Sequence, residues 1–358
     1  MDNNMNTKFL TDKNISPENV VFRSATDSVF SLHGVYHDGT CFRRMPQEVA
    51  DTASEEKNFQ VKLFCRHTAG GRLRFKTNSP FIAIKAETSY IHNRGAMPLS
   101  CSAGFDYYVN GRFGGIFYPS VSLEKDFFGV TNFGNREEKL ITLNFPGCND
   151  LLSLSIGLDK DATVVPADDY TFTPYPVVFY GSSITQCGCA SRPGMTYEAI
   201  LSRALDMDYI NLGFSGGARG EIGLAEYMAG LKMSAFVLDY DYNAPTPDHL
   251  RGTHKPFFDA IRAKNPTLPI IMLSRPTDRR TEEEYERRSI ILETYRAAIE
   301  SGDENVYFID GMTLFEGIPD GDGTIDGVHP GDLSYANMAR KIKPVLECAI
   351  LKSRRNKQ

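Results

Sequence analysis

From Pro176 onward the chain alternates short apolar runs with amphipathic stretches, and no other feature of its sequence restricts the fold so strongly. Runs at 176–180, 208–213, 235–241, 268–274 and 305–310 have the length and β-branched content of buried strands. Helical patterns lie between them, near 195–205, 221–231, 253–264 and 281–301, and a last one follows at about 332–350. Thr281 with Glu284 makes a capping box, and Gly302 makes a stop. Strands that alternate with helices predict a parallel sheet covered on both faces. Ligands of such sheets sit beyond the carboxyl ends of the strands, so the loops that follow each strand are where function is sought.

The residues before about 170 follow a different pattern. "FQVKLFCRH", "GRLRFKTNS", "FIAIKAET" and "FDYYVNGRF" read as strands, separated by Gly70-Gly71, Asn78-Ser79-Pro80 and Asn110-Gly111. In "RLRFK" Leu73 and Phe75 face one side, and Arg72, Arg74 and Lys76 the other. "KLITLNFP" and "LLSLSIGL" add two more strands. Many short strands with such turns predict an all-β sandwich or jelly roll. A length of 358 residues suits two domains of roughly 150 residues each. We place them at 1–172 and 173–358.

Composition narrows the function classes. A formal net charge of −6 argues against a general nucleic-acid binder, which carries a basic face. The one basic run, Lys352-Ser353-Arg354-Arg355-Asn356-Lys357, reads as a solvated tail. No stretch approaches the ~18 uninterrupted apolar residues of a membrane span, and "MDNNMNTKFLTDKN" has no apolar core of a signal peptide. Seven scattered cysteines suit reduced thiols, so a cytoplasmic location is expected, or a secreted one if a leader is missing. Cys187 and Cys189 have no second Cys/His pair at zinc spacing, which argues against structural zinc.

Gly181-Ser182-Ser183-Ile184-Thr185 follows the first strand with three hydroxyls in five residues. Such a turn can cap a helix, cradle a phosphate on unpaired helix N–H groups, or present a nucleophilic serine. After the second strand, "NLGFSGGARGE" has glycines that let the backbone approach a ligand. Asn243, after the third strand, carries a neutral amide able to donate. Asp239 and Asp241 could form a metal pair, but no histidine stands at ligand spacing. "DGDGTIDGVHPG", after the fifth strand, superficially matches a calcium loop, yet its twelfth position from Asp320 is Gly331 rather than glutamate. Asp326 three residues before His329 suits a different chemistry: the carboxylate takes the Nδ1 proton and leaves Nε2 free to accept another.

Taken in order, "GSSIT", "NLGFSGG", "DYNA" and "DGVHP" resemble the four blocks of the SGNH (GDSL-like) hydrolase superfamily. "GGRLRFKTNSP", "GFDYYVNG" and "ITLNFP" extend the likeness to the branch with an N-terminal β-sandwich, whose members include carbohydrate esterases. The resemblance implies a flavodoxin-like five-stranded sheet. It also implies Ser183 as nucleophile, His329 as general base and Asp326 as its orienter. The Ser183 and Gly216 N–H groups and the Asn243 side-chain amide would form the oxyanion hole. Gly217 is an alternative donor to Gly216. Ser182 replaces the usual Asp of the first block, and Ala244 the residue that commonly follows the Asn. Arg192 and Arg219 could bind polar substrate groups or be ordinary surface arginines. The implied activity is hydrolysis of an acyl ester, an O-acetyl group on a carbohydrate, without metal or organic cofactor. A non-catalytic glycan binder, an acyltransferase and a phosphate-binding turn are the rival classes.

Overall fold

The structure, a computed structural model, describes residues 15–53, 59–93, 95–120 and 122–355. The first fourteen residues, read above for a leader, lie outside the described residues, as do Asn356 and Lys357. The chain divides into two compact units. The first comprises residues up to Arg44, Arg66–Asp169 and Arg192–Gly194; the second comprises Met45–Cys65, Tyr170–Ser191 and the rest from Met195.

The first unit is a sandwich of two antiparallel sheets. One has the order Val20–Ser24, Ser153–Asp159, Phe81–Glu87, Asp126–Asn132. The other runs Val164–Pro166, Arg72–Thr77, Lys139–Asn144, Phe105–Val109, Arg112–Phe117, with Ser31–His33 also pairing to Arg72–Thr77. Alternation supplies the core. Leu73 lies opposite Leu143 and Phe75 opposite Ile141 in one sheet, and Ile84 opposite Ile156 in the other, and all six join one apolar cluster. The charged side of "RLRFK" is not a solvent face, however. Arg72 and Arg74 are buried, and Arg74 donates to the Asp168 carbonyl at 3.1 Å. Asn110 and Gly111, at φ 52° and 78°, make the mirror-image turn that a tight hairpin needs.

One expected strand is a helix. "FQVKLFCRH" forms Phe59–Phe64 and belongs to the second unit. Val61, Phe64 and Cys65 recur at helical spacing and enter that unit's core, whereas Leu63, which a strand would place beside Val61, is exposed. Six residues are too few for periodicity to separate the two readings. Residues 45–65 therefore correct the domain division drawn from sequence.

Five parallel strands form the second unit's sheet: Val177–Gly181, Tyr209–Gly213, Ala235–Asp239, Ile270–Leu273 and Val306–Ile309. Their order is second, first, third, fourth, fifth, the flavodoxin-like arrangement. Both faces are apolar because both are covered. Val178, Tyr180, Phe236, Leu238 and Met272 share a core with helices Ile222–Ala229, Pro247–Lys264 and Glu282–Glu300. On the other side Phe179 meets Tyr197 and Tyr209 edge-on, and helix Tyr197–Leu205 packs against Asp332–Arg355. That last helix takes in Lys352, Arg354 and Arg355, so the described part of the basic run is helical, with Arg354 over the Phe172 ring. Helix Pro247–Lys264 starts earlier than its apolar pattern, because Thr246 caps it by accepting the His249 N–H. Among the described residues no helix is long and apolar enough to cross a membrane.

Phe257 is fully buried and stacks on Tyr180 at 4.7 Å. Phe257→Ala is expected to destabilise the second unit by about 3–5 kcal/mol, read as a lower denaturant midpoint in tryptic digestion of that unit; an unchanged midpoint contradicts this packing.

Candidate active site

The order of the sheet reverses around the first strand, and its loop presents Ser183. Ser182 caps the short helix Ser183–Gln186 by accepting the Ile184 N–H at 3.2 Å. Gly181 is required here: a Cβ would lie 2.0 Å from the Thr185 hydroxyl and 2.6 Å from the Asp239 carbonyl. The flanking residues are buried while Ser183 is partly exposed, so the turn presents one hydroxyl and hides its neighbours.

That hydroxyl lies 2.8 Å from His329 Nε2. The imidazole's Nδ1 lies 2.7 Å from Asp326 Oδ2. Asp326 Oδ1 accepts the Val328 and His329 backbone N–H groups at 3.1 and 2.8 Å, so carboxylate and ring are set by the same loop. Ile325 N–H on the His329 carbonyl closes that loop at its base. Partial burial raises the Asp326 pKa, but the His329 N–H, the bond and charge of its ring, and the Val328 N–H outweigh it. The carboxyl stays below the ordinary value and is ionised at neutral pH.

The expected oxyanion donors stand on three loops of the same unit, those that follow its first three strands. Among the described residues the Ser183 and Gly216 N–H groups donate to no protein acceptor, whereas Gly217 N–H is spent on the Phe214 carbonyl at 2.8 Å. Gly216 therefore has the free donor of the two. Its φ of +68° suits glycine, and a Cβ there would meet nothing closer than Gln60 at 3.9 Å. The Asn243 amide donates to the Phe214 carbonyl at 2.8 Å, which holds the third loop to the second and leaves its other N–H to serve a ligand. Arg219 Nε donates to the Gly216 carbonyl at 3.1 Å and so braces the glycine turn. Arg192 belongs to the first unit, where it donates to Asp106 and Tyr108, each at 2.6 Å, and lies over the Phe113 ring. Because Asp106 is fully buried, this pair carries a structural role for Arg192.

Comparison with known proteins places these features. Residues 175–347 match the model of the GDSL-like lipase/acylhydrolase family, and 20–164 match the N-terminal region of SGNH-hydrolase-type esterases, GxDLY. A candidate GDSL-like lipase from Bacteroides ovatus is 31% identical, with 93% of this chain and 98% of that chain covered and a TM-score of 0.82. The chain belongs to the GDSL-like lipase/acylhydrolase family. It is an ester hydrolase of the SGNH class. The salicylyl-acyltransferase SsfX3 of a tetracycline biosynthetic pathway shares the fold at 21% identity, TM-score 0.75, with 91% and 98% covered. So does the acetyl xylan esterase Est2A of Butyrivibrio proteoclasticus at 14%, TM-score 0.60, with 91% and 97% covered. No curated protein matches the chain.

The structure of this SGNH hydrolase adds residues that its sequence motifs do not reveal. Beneath the Ser183 turn, Asn211 donates to the Thr185 carbonyl at 2.5 Å and accepts Gly213 N–H at 3.0 Å. Gln186 Oε1 accepts Ser215 N–H at 2.9 Å, tying serine and glycine loops together. Asp239 Oδ2 accepts from Thr185 at 3.1 Å and Tyr197 at 3.3 Å. Asp241, which a longer strand would have placed beside it, sits in a short 3-10 turn paired with Arg275 and Arg287. The two aspartates therefore lie on different elements, Asp239 ending the third strand and Asp241 in the turn that follows. Cys189, which has no Cys/His pair at zinc spacing in the sequence, meets the histidine loop in the fold: its sulfur, an Asp326 oxygen and a His329 nitrogen lie within 4.8 Å of one another. Only folding brings that turn to the histidine loop, so no local signal announces it.

Burial pushes Asp239 up to about 8, and it pushes Glu198 upward as well. The unfolded chain loses the Asp239 proton near 3.9, so the folded hydrolase binds one proton more between those limits. Stability then falls with rising pH across that window, by up to about 1.4 kcal/mol per unit from this group. Asp239→Asn is expected to flatten the decline in unfolding free energy between about pH 5 and 8; an unchanged slope contradicts a protonated Asp239.

Proposed function

We propose that this hydrolase removes an acyl group, O-acetyl in the first instance, from a carbohydrate through an acyl-enzyme on Ser183. The observation that carries the reading is the continuous chain from the Ser183 hydroxyl to His329 Nε2 and from His329 Nδ1 to Asp326. A serine hydroxyl is a weak nucleophile until a base takes its proton. His329 takes it as Oγ attacks the ester carbonyl, and Asp326 stabilises the imidazolium that forms. Negative charge then develops on the carbonyl oxygen, where the N–H groups of Ser183 and Gly216 and the Asn243 amide donate to it. The tetrahedral species collapses, His329 returns its proton to the departing sugar oxygen, and Ser183 keeps the acyl group. Water, deprotonated by the same imidazole, repeats the sequence and releases the carboxylic acid.

The carbohydrate half of the proposal draws on the fold neighbours, among them an acetyl xylan esterase and a family two carbohydrate esterase solved with cellohexaose. Acyl transfer to a hydroxyl other than water's is the second reading, favoured by the likeness to SsfX3. The two differ only in what resolves the acyl-enzyme.

Incubation with p-nitrophenyl acetate and with acetylated oligosaccharides tests the proposal through released nitrophenol and acetate. Ser183→Ala and His329→Ala are each expected to lower kcat by about 10⁴-fold or more. Asn243→Ala is expected to lower it by about 10²–10³-fold with little change in KM. Wild-type turnover in His329→Ala contradicts the proposed base. Acetate release that needs a sugar acceptor moves the assignment to transfer.

A further inference from the structure

Cys189, Asp326 and His329 offer a thiol, a carboxylate and an imidazole whose ligand atoms all lie within 4.8 Å of one another. Thiolate, imidazole and carboxylate are the donors of protein zinc sites, at metal–ligand distances of about 2.0–2.3 Å. Atoms so spaced can close on one ion through small side-chain movements. Two of the three are already fixed by their own loop, since Asp326 accepts the Val328 and His329 N–H groups and holds the ring. The third is fixed to that neighbourhood too. Gly188 N–H donates to the Ser183 carbonyl at 2.7 Å, and Ser191 binds Asp332 through its N–H at 2.7 Å and its hydroxyl at 2.5 Å. The Cys189 turn is thereby tied to the nucleophile on one side and to the segment after His329 on the other. Asp326 and His329 remain 37% and 29% exposed, which gives an ion a way in from solvent, while the sulfur is buried.

We propose that a thiophilic divalent cation, Zn²⁺ or Cd²⁺, binds at Cys189, Asp326 and His329 and reversibly switches the hydrolase off. Binding releases the Cys189 proton to solvent and transfers no electrons. Either ring nitrogen suffices for inhibition. An ion on Nε2 takes the lone pair that accepts the Ser183 proton; an ion on Nδ1 displaces the Asp326 hydrogen bond and moves that ring proton to Nε2, which can then no longer accept from Ser183. The inhibitory half rests on His329 being the catalytic base; the binding half does not.

The test has two arms on the full-length protein. Cd²⁺ titration is followed by the ultraviolet thiolate-to-metal charge-transfer band in wild type, Ser183→Ala, Cys189→Ser, His329→Ala and Cys348→Ser. Zn²⁺ inhibition of ester hydrolysis is measured for wild type and Cys189→Ser, each against its own metal-free rate and reversed with a chelator. The band is expected to saturate at about one equivalent in wild type, to persist in Ser183→Ala and Cys348→Ser, and to vanish in Cys189→Ser. His329→Ala, which keeps the thiol, is expected to bind Cd²⁺ at least about tenfold more weakly, and Cys189→Ser to need at least about tenfold more Zn²⁺ for half-inhibition. Equal Zn²⁺ inhibition of wild type and Cys189→Ser overturns the proposal. So does a band that survives Cys189→Ser and is lost in Cys348→Ser, the exposed thiol. Hydrolysis by Ser183→Ala with the band intact defeats the catalytic reading and leaves the metal site standing.

Discussion

A hydrogen bond of 2.8 Å between Ser183 and His329 joins residues 146 apart in sequence, because the serine follows the first strand of the parallel sheet and the histidine follows the last. Neither loop can place its side chain alone. A parallel sheet solves this by pointing all its strands the same way, so that each loop after a strand emerges at one rim. Reversal of strand order around Val177–Gly181 sets the first loop between its neighbours, where the Gly216 and Asn243 loops reach it from either side. The reactive set is thus a consequence of topology first and of side-chain chemistry second.

Rigidity comes from below. Asn211, Gln186, Thr185, Tyr197 and Asp239 form a buried polar layer under the nucleophile turn, and each bond joins two elements that differ in sequence position. A buried polar group that is satisfied fixes geometry more narrowly than an apolar contact does, since misplacement leaves a donor or acceptor unpaired. Asp239 suits this role in its protonated form, to which burial drives it. The oxyanion donors proposed above it need that precision, because their value depends on being aimed at the oxygen before charge develops.

Much of this was legible in the sequence. The five strands lie within a few residues of the apolar runs, since both faces of a parallel sheet are covered and its strands read as continuous apolar stretches. Asp326 and His329 were legible because they share one loop, and spacing alone reports their contact. Phe59–Phe64 was not, because a run that short satisfies the strand and the helix period alike. Several short strands of the sandwich, such as Val20–Ser24 and Val164–Pro166, also escaped notice, as they depend on pairing partners far along the chain. Arg192 and Cys189 mark the same limit. One pairs with Asp106 and the other approaches His329, and neither contact has a local signature.

The hydrolysis proposed for this site requires a covalent intermediate at one oxygen. Rapid quench of the wild-type protein with p-nitrophenyl acetate, followed by peptide mass spectrometry, reads that step directly. The account predicts a burst of nitrophenol stoichiometric with protein and an acetyl group on the peptide that holds Ser183, at Ser183 itself. An acetyl group on Cys189 instead, or turnover with no adduct and no burst under conditions where deacylation is slow, would contradict it.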